Sequence, residues 1–204
     1  MTGKPAFEFW FDFASTYSFL ASQRIGELAA EAGVPIAWRP FVLGVVFREC
    51  GWQAGPPVVN NPRKAAYMWR DLARQAAKRG HGFAMPSTFP RNPILANRVA
   101  LIAAAEGWAD RFVPRAFAAN FIDDQEIAEP QVIGAIIAAC EQDPEAVLAR
   151  AQSEENKEAL KANTAEASAK GLFGAPTFAI GEELFWGDDR LEDALAYWRE
   201  ASAG

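Results

Sequence analysis

The chain has 204 residues, half of them apolar and 12% aromatic, and a formal net charge of −6. That length fits one domain, or one domain carrying an insertion, and the apolar content suits a buried core rather than a disordered chain. Acids and bases are intermixed, so no basic footprint for nucleic acid stands out, and no apolar run nears the roughly 20 residues that span a bilayer.

Met1 to Pro5 leads straight into strand-like sequence, without the apolar region and cleavage site of a signal peptide, and a cytoplasmic location is expected. From Phe7 to Phe13 aromatic residues recur at every second position while Trp10 points the other way, which predicts a strand covered on both faces. From Tyr17 the period becomes helical, with Leu20, Ala21, Ile25, Leu28, Ala29 and Ala32 on one stripe until Gly33 and Pro35 stop it. Ile36 to Val42 reads as a second strand, parallel to the first across a right-handed crossover. Leu43 to Asn61 lacks periodicity and is expected to be a long loop.

Helical patterns then fill about a hundred residues. Pro62 to Arg79 carries an apolar stripe of Ala65, Met68, Trp69, Leu72 and Ala76. Asn92-Pro93 supplies a cap followed by proline at the first helical position, and Gly107 closes that helix. Asp110 is expected to cap a helix reaching Phe121, with Pro114 near its first turn. Pro130 opens another helix, Asp143-Pro144 a further one, and Glu145 to Lys170 reads as mostly solvent-facing helix. Strand character returns in Thr177 to Ile180 and Leu184 to Trp186, a hairpin turning at Gly181, before a last helix expected to be capped by Asp188 or Asp189. Strands at both ends imply one α/β sheet interrupted by an all-helical insertion of about residues 62–170, within a single domain.

Three places bear on chemistry. Ser15 sits at the junction of the first strand and first helix, where unpaired N–H groups and the helix dipole stabilise an anion such as a thiolate. Neither Cys50 nor Cys140 lies there, so a thiolate would have to come from a ligand, with the serine hydroxyl donating to its sulfur. An ordinary serine N-cap is the much commoner role of a residue so placed, and Ser15 taken alone carries no functional claim. In 174-GAPTF-178, Pro176 either starts a strand or, in the cis form, exposes the preceding backbone to an extended ligand. In 186-WGDD-189 the acids either cap the last helix or receive a ligand ammonium. Cys50 and Cys140 match no metal-ligand spacing, and His81 is flanked by glycines in a loop, so no metal site is expected.

Together, FWFDFASTYSFLA near the start and GAPTFAIGEELFWGDDRLEDAL near the end, with helices between, resemble the 2-hydroxychromene-2-carboxylate isomerases. That family is grouped with the kappa-class glutathione transferases and the DsbA-like thioredoxin-fold proteins. The resemblance runs from about Ala6 to Trp198 and implies a thioredoxin-like fold whose sheet part takes in about residues 5–60 and 171–204. It implies glutathione as cofactor, a small aromatic substrate and a homodimer. Ser15 matches the serine that replaces the first redox cysteine, while Thr16 stands where the family usually has proline. By the same resemblance Ala175 and Pro176 would meet the cysteinyl part of glutathione, and Trp186, Gly187, Asp188 and Asp189 its γ-glutamyl end. The family pattern is W-G-N-D, so Asp188 replaces an amide. The segment 60-NNPRKAAYMWRDLAR-74 resembles N-P-x-K-x-x-Y-M-x-R-D, which would place Asn61, with Asn60 beside it, and Lys64 against the substrate. Arg48 and Phe89 fall where the family has a basic residue and a pocket aromatic. Bound glutathione thiolate would add to the substrate, allow rotation about the former double bond, and leave again. A kappa-like transferase shares the thiolate but consumes it; a non-catalytic thioredoxin-fold binding protein would not need it.

Overall fold

The computed structural model describes residues 4–52 and 61–202. Strands β1 (Phe7–Phe11), β2 (Ile36–Pro40), β3 (Thr177–Ile180) and β4 (Glu183–Trp186) form one sheet in the order β2-β1-β3-β4. β1 pairs parallel with β2, as a βαβ crossover requires, and antiparallel with β3. The two ends of the chain therefore share a sheet, with β1 at its centre. Phe7, Phe9 and Phe11 enter the main core on one face, and Trp10 enters a second core with Phe41, Val46 and Ala179 on the other. Each such ring taken out of water contributes on the order of 2 kcal/mol. The hairpin turns at Gly181, whose φ of 62° suits glycine.

The helix expected over 17–32 is two helices, α1 (Thr16–Ser22) and α2 (Ile25–Ala32). The break has distant causes. Gln23 Nε2 donates to the Pro114 carbonyl at 3.0 Å, and Arg24 leaves helical geometry to reach Asp188. The expected loop from Leu43 contains a helix, α3 (Leu43–Glu49), whose cap is not local either. The Asp12 carboxylate, 31 positions earlier, accepts from the Leu43 N–H at 2.8 Å.

The helical block comprises α4 (Pro62–Lys78), α5 (Ile94–Glu106), α6 (Ala109–Phe121), α7 (Pro130–Ala139), α8 (Pro144–Ala151) and α9 (Glu154–Ala169). Asn92 Oδ1 accepts from Ile94 N–H, so α5 starts one residue later than expected. Asp110 lies within the first turn of α6 rather than at its cap, which makes Pro114 an interior residue. The expected helix over 145–170 is split, because Ser153 accepts from Asn156 N–H and starts α9 afresh, and Leu160, Thr164 and Ala167 of α9 are buried. Three buried asparagines tie this block to the strand ends: Asn97 Nδ2 donates to Phe41 O (3.0 Å), Asn120 to Phe13 O (2.9 Å) and Asn163 to Pro40 O (2.7 Å). These carbonyls lie at or just past the ends of β1 and β2, and the asparagines satisfy them without water. The last helix, α10 (Leu191–Ala201), follows a 3-10 turn over Asp188–Arg190 and has no side-chain cap, so neither Asp188 nor Asp189 caps it.

Asp12 closes β1. Its carboxylate also accepts from Ala14 N–H (2.7 Å), its carbonyl takes Ser15 N–H (2.9 Å), and the side chain is buried. Burial raises its pKa to about 6, against the pull of those N–H donors and Asn97. A carboxyl with a raised folded pKa stabilises fully below its unfolded value near 3.8 and loses that contribution as pH climbs through about 6. Urea unfolding of wild type and Asp12→Asn should therefore show the wild type losing ground to the variant between about pH 4 and 6, by up to about 1.4 kcal/mol per pH unit.

Candidate active site

Because β1 and β3 are neighbours, Ser15 just past β1 meets Ala175 just before β3. Ser15 is the extended N-cap of α1 (φ −85°, ψ 118°), and its Oγ accepts from Ser18 N–H at 3.2 Å. The same hydroxyl donates its proton to the Ala175 carbonyl at 2.8 Å. At 7% exposure Ser15 is buried. The Ala175–Pro176 peptide is cis, and the Pro176 carbonyl accepts from Gly187 N–H at 3.0 Å, linking this loop to the turn after β4.

Trp186, 53% exposed, lies with its indole Nε1 well inside contact distance of where a Cβ on residue 174 would sit, so Gly174 is what admits the ring there. Phe173 lies against the same indole, the ring centres 5.0 Å apart and the planes tilted by 57°. Gly187 has φ 112°, and a Cβ on it would meet Asp189 Oδ1 at 2.6 Å. A groove of about 390 Å³ opens beside this turn. One wall carries Ala175, Trp186, Gly187, Asp188 and Asp189, the other Tyr17, the α4 residues Asp71 and Gln75, and Arg79 just past the end of α4.

The structure thus gathers five of the residues expected at a glutathione site on one groove, with Ser15 bonded behind them. It does not leave Asp188 open to an ammonium group. Asp188 Oδ1 lies 3.3 Å from Arg24 Nε and Oδ2 lies 2.7 Å from Arg79, while Arg24 also donates to the Asp188 carbonyl and pairs with Glu192. The side chain is 5% exposed; burial raises its pKa, opposed by the two guanidiniums. A carboxylate here serves as an internal counter-ion, which an amide would not. Asp189 is largely exposed and pairs with Arg190 at 3.2 Å.

Among the expected substrate residues, none lines this groove. Arg48 lies in the last turn of α3 and is exposed. Asn61 caps α4, its Oδ1 accepting from Lys64 N–H at 3.1 Å, and Lys64 is exposed in that first turn. Asn60 falls outside the described residues. Phe89 is half-buried and meets Trp69 edge-on at 4.8 Å. Met68 is buried and accepts from the Thr16 hydroxyl at 3.6 Å, so Thr16 is anchored to α4 where the family pattern would have proline. Sequence reasoning missed Tyr17, Asp71, Gln75, Arg79 and Arg24. The signal was there in α4: Asp71, Gln75 and Arg79 recur every four residues beside the apolar stripe, on a line that could equally be solvent-facing. Tyr17 Oη donates to Asp71 Oδ2 at 3.3 Å, and burial together with the Asp71 charge pushes its phenol up to about 12, so it remains a neutral donor.

A family model for the DSBA-like thioredoxin domain matches residues 6–197. The solved structure of a 2-hydroxychromene-2-carboxylate isomerase superimposes with a TM-score of 0.87 at 27% identity, covering 97% of this chain and 98% of that one. The 2-hydroxychromene-2-carboxylate isomerase of Pseudomonas putida is 30% identical over 90% of this chain and 89% of its own length. The glutathione S-transferase kappa 2 of Caenorhabditis elegans is 26% identical over the full chain and 96% of its own. The chain belongs to the DsbA-like thioredoxin-fold family and, within it, to that of the 2-hydroxychromene-2-carboxylate isomerases. Among the described residues no helix is long and apolar enough to cross a membrane.

Replacing Asp188 by alanine leaves Arg24 and Arg79 facing each other without their shared counter-ion. Denaturant unfolding of Asp188→Ala should show a loss of about 3 kcal/mol. A change below about 1 kcal/mol would mean the cluster does not hold the turn.

Proposed function

We propose that the protein catalyses glutathione-dependent isomerisation of 2-hydroxychromene-2-carboxylate or a related intermediate of aromatic degradation. The observation that carries this reading is the Ser15 hydroxyl, hydrogen-bonded to the Ala175 carbonyl beside a groove that presents both signs of charge. The names of the relatives support the reaction and the tripeptide. Glutathione fits what is present. The groove volume falls within the roughly 300–1,000 Å³ typical of small-molecule sites, and its charged walls match a zwitterion.

Bound glutathione would supply a thiolate that adds to the conjugated substrate and leaves again, opening a double bond to rotation. The chain's own contribution is to hold that sulfur anionic and in place. Ser15 has one hydroxyl proton, now given to Ala175. Turning it toward a thiolate exchanges a neutral hydrogen bond for a charge-assisted one, a favourable exchange. The Ser18 N–H continues to bond Ser15 Oγ from behind and polarises it in the useful direction. Ala175, freed of the serine proton, then presents its backbone to the cysteinyl peptide. Arg48, Asn61, Lys64 and Phe89 are proposed to meet the substrate, the two cations taking its carboxylate.

Ser15→Ala should raise the pKa of the bound thiol, seen as lost thiolate absorbance, and lower turnover about a hundredfold. Loss of the N-cap alone costs about 1 kcal/mol of stability and leaves thiolate absorbance unmoved. Unchanged absorbance and turnover in the variant would remove Ser15 from the mechanism. The likeness to a kappa-class transferase over the full chain supports a second reading, conjugation. Product analysis separates them: an isomerase returns glutathione, whereas a transferase consumes it.

A further inference from the structure

The charges of this chain are intermixed except in one place. Residues 50–105 hold eight lysines and arginines against a single acid, Asp71, whereas the other residues hold twelve bases and twenty-five acids. Five of those eight bases, Arg63, Lys64, Arg70, Arg74 and Lys78, lie on α4, and all five are exposed. We propose that this basic face of α4 is an electrostatic guide, drawing small carboxylate-bearing anions to the groove beside it. This rests on the glutathione reading for the identity of the anion, and it concerns residues that line no part of the groove.

Pairing sets these side chains apart. Outside residues 50–105 at least eight of the twelve bases are in ion pairs with carboxylates. On α4 Arg74 pairs with Asp71 at 3.2 Å, and among the described residues Arg63, Lys64, Arg70 and Lys78 have no such partner. Arg70, Arg74 and Lys78 follow one another at four-residue spacing, where like charges repel and weaken a helix. Tyr67, 62% exposed between Arg63 and Arg70, brings no counter-charge, and Arg74 lies over its ring at 5.6 Å. A face kept at that cost, on a protein of net charge −6, points to a use for positive potential.

Its position supplies the use. At about 100° per residue, Asp71 and Gln75 lie about 80° around α4 from the buried Met68, Leu72 and Ala76. The stripe of Arg63, Arg70, Arg74 and Lys78 lies about 80° further in the same direction, so it borders the groove along the helix. The groove's own lining holds three aspartates, Asp71, Asp188 and Asp189, against Arg79. Arg24 behind Asp188 is matched by Glu192, so that cluster adds no surplus of positive charge. An anion such as glutathione, with two carboxylates and one ammonium, is therefore repelled by the lining and by the acidic remainder of the surface. The α4 cations reverse the sign of the field on one side of the entrance. Charges of one sign beside a cleft raise the rate of arrival of the opposite sign about tenfold or more. Salt removes the effect, because exposed charges act over about 30 Å at 0.01 M and about 3 Å at 1 M.

Stopped-flow association with glutathione, followed by thiolate absorbance, tests the guide in wild type and in the triple variant Arg63→Gln, Arg70→Gln, Lys78→Gln. These positions are exposed and glutamine is a comparable helix former, so the variant keeps the fold. Its association should be about fivefold slower at about 0.01 M ionic strength and within about 1.5-fold of wild type at about 1 M. The double variant Arg63→Lys, Arg70→Lys keeps the charge and should match wild type at both. The field can also be read without glutathione, at the exposed Trp186 on the opposite wall. Iodide quenching of its fluorescence, taken as the difference from Trp186→Phe and divided by quenching with neutral acrylamide, should fall about twofold in the triple variant. Unchanged association at low salt, equal slowing at both salts, or an unchanged iodide ratio overturns the guide. A wild type that binds no glutathione, with the iodide ratio falling as expected, sinks the glutathione reading and leaves the guide standing. Isomerase turnover with unaltered association and quenching does the reverse.

Discussion

The hydrogen bond from Ser15 Oγ to the Ala175 carbonyl spans 160 positions of sequence, and the site depends on it. It exists because β1 lies between a parallel neighbour from its own end of the chain and an antiparallel one from the other. A sheet in this order brings the residue after β1 and the residue before β3 to the same edge of the fold. Everything polar around it then serves to hold those two points still. Asp12 fixes Ala14 and Leu43, and its carbonyl fixes Ser15 N–H. Asn120 pins Phe13, and Gly187 binds back to Pro176.

Polar groups buried close to the site divide into two kinds. Asp12 is a carboxyl held among backbone donors, where desolvation is the larger effect and the proton is retained to about pH 6. Asp188 meets two guanidiniums, so its burial is opposed by charge as well as by hydrogen bonding. The second arrangement joins three parts of the chain, the α1–α2 break, the end of α4 and the turn before α10. Its effect is architectural: it sets the distance between the two walls of the groove.

Much of this was legible in the sequence where the cause is local. The two-faced β1, the hairpin at Gly181, the serine cap of α1 and the proline-opened helices α4, α7 and α8 all follow from nearby residues. Some of what escaped was local, such as the Ser153 cap that restarts α9, but the larger misses had their cause elsewhere in the chain. α3 begins with Leu-Gly-Val-Val and has no polar cap of its own; Asp12 supplies one from across the sheet. The α1–α2 break is made by Pro114 and Asp188, neither of which is near it in sequence. The aspartates after Trp186 looked like caps or ligand groups because the arginines that occupy Asp188 lie 164 and 109 positions away. The α4 wall was hidden differently, since a polar line next to an apolar stripe looks alike whether it faces water or a ligand.

The close approach of Trp186 to Gly174 has a consequence for how this chain can change. The indole fills the space a side chain at 174 would need, so alanine there must push the ring, and Phe173 packed against it, away from the groove mouth. A smaller residue at 186 would remove the objection and leave a gap instead. The two positions therefore form a single unit of variation, in which a viable path to a differently shaped groove mouth runs through paired replacement rather than through either residue alone.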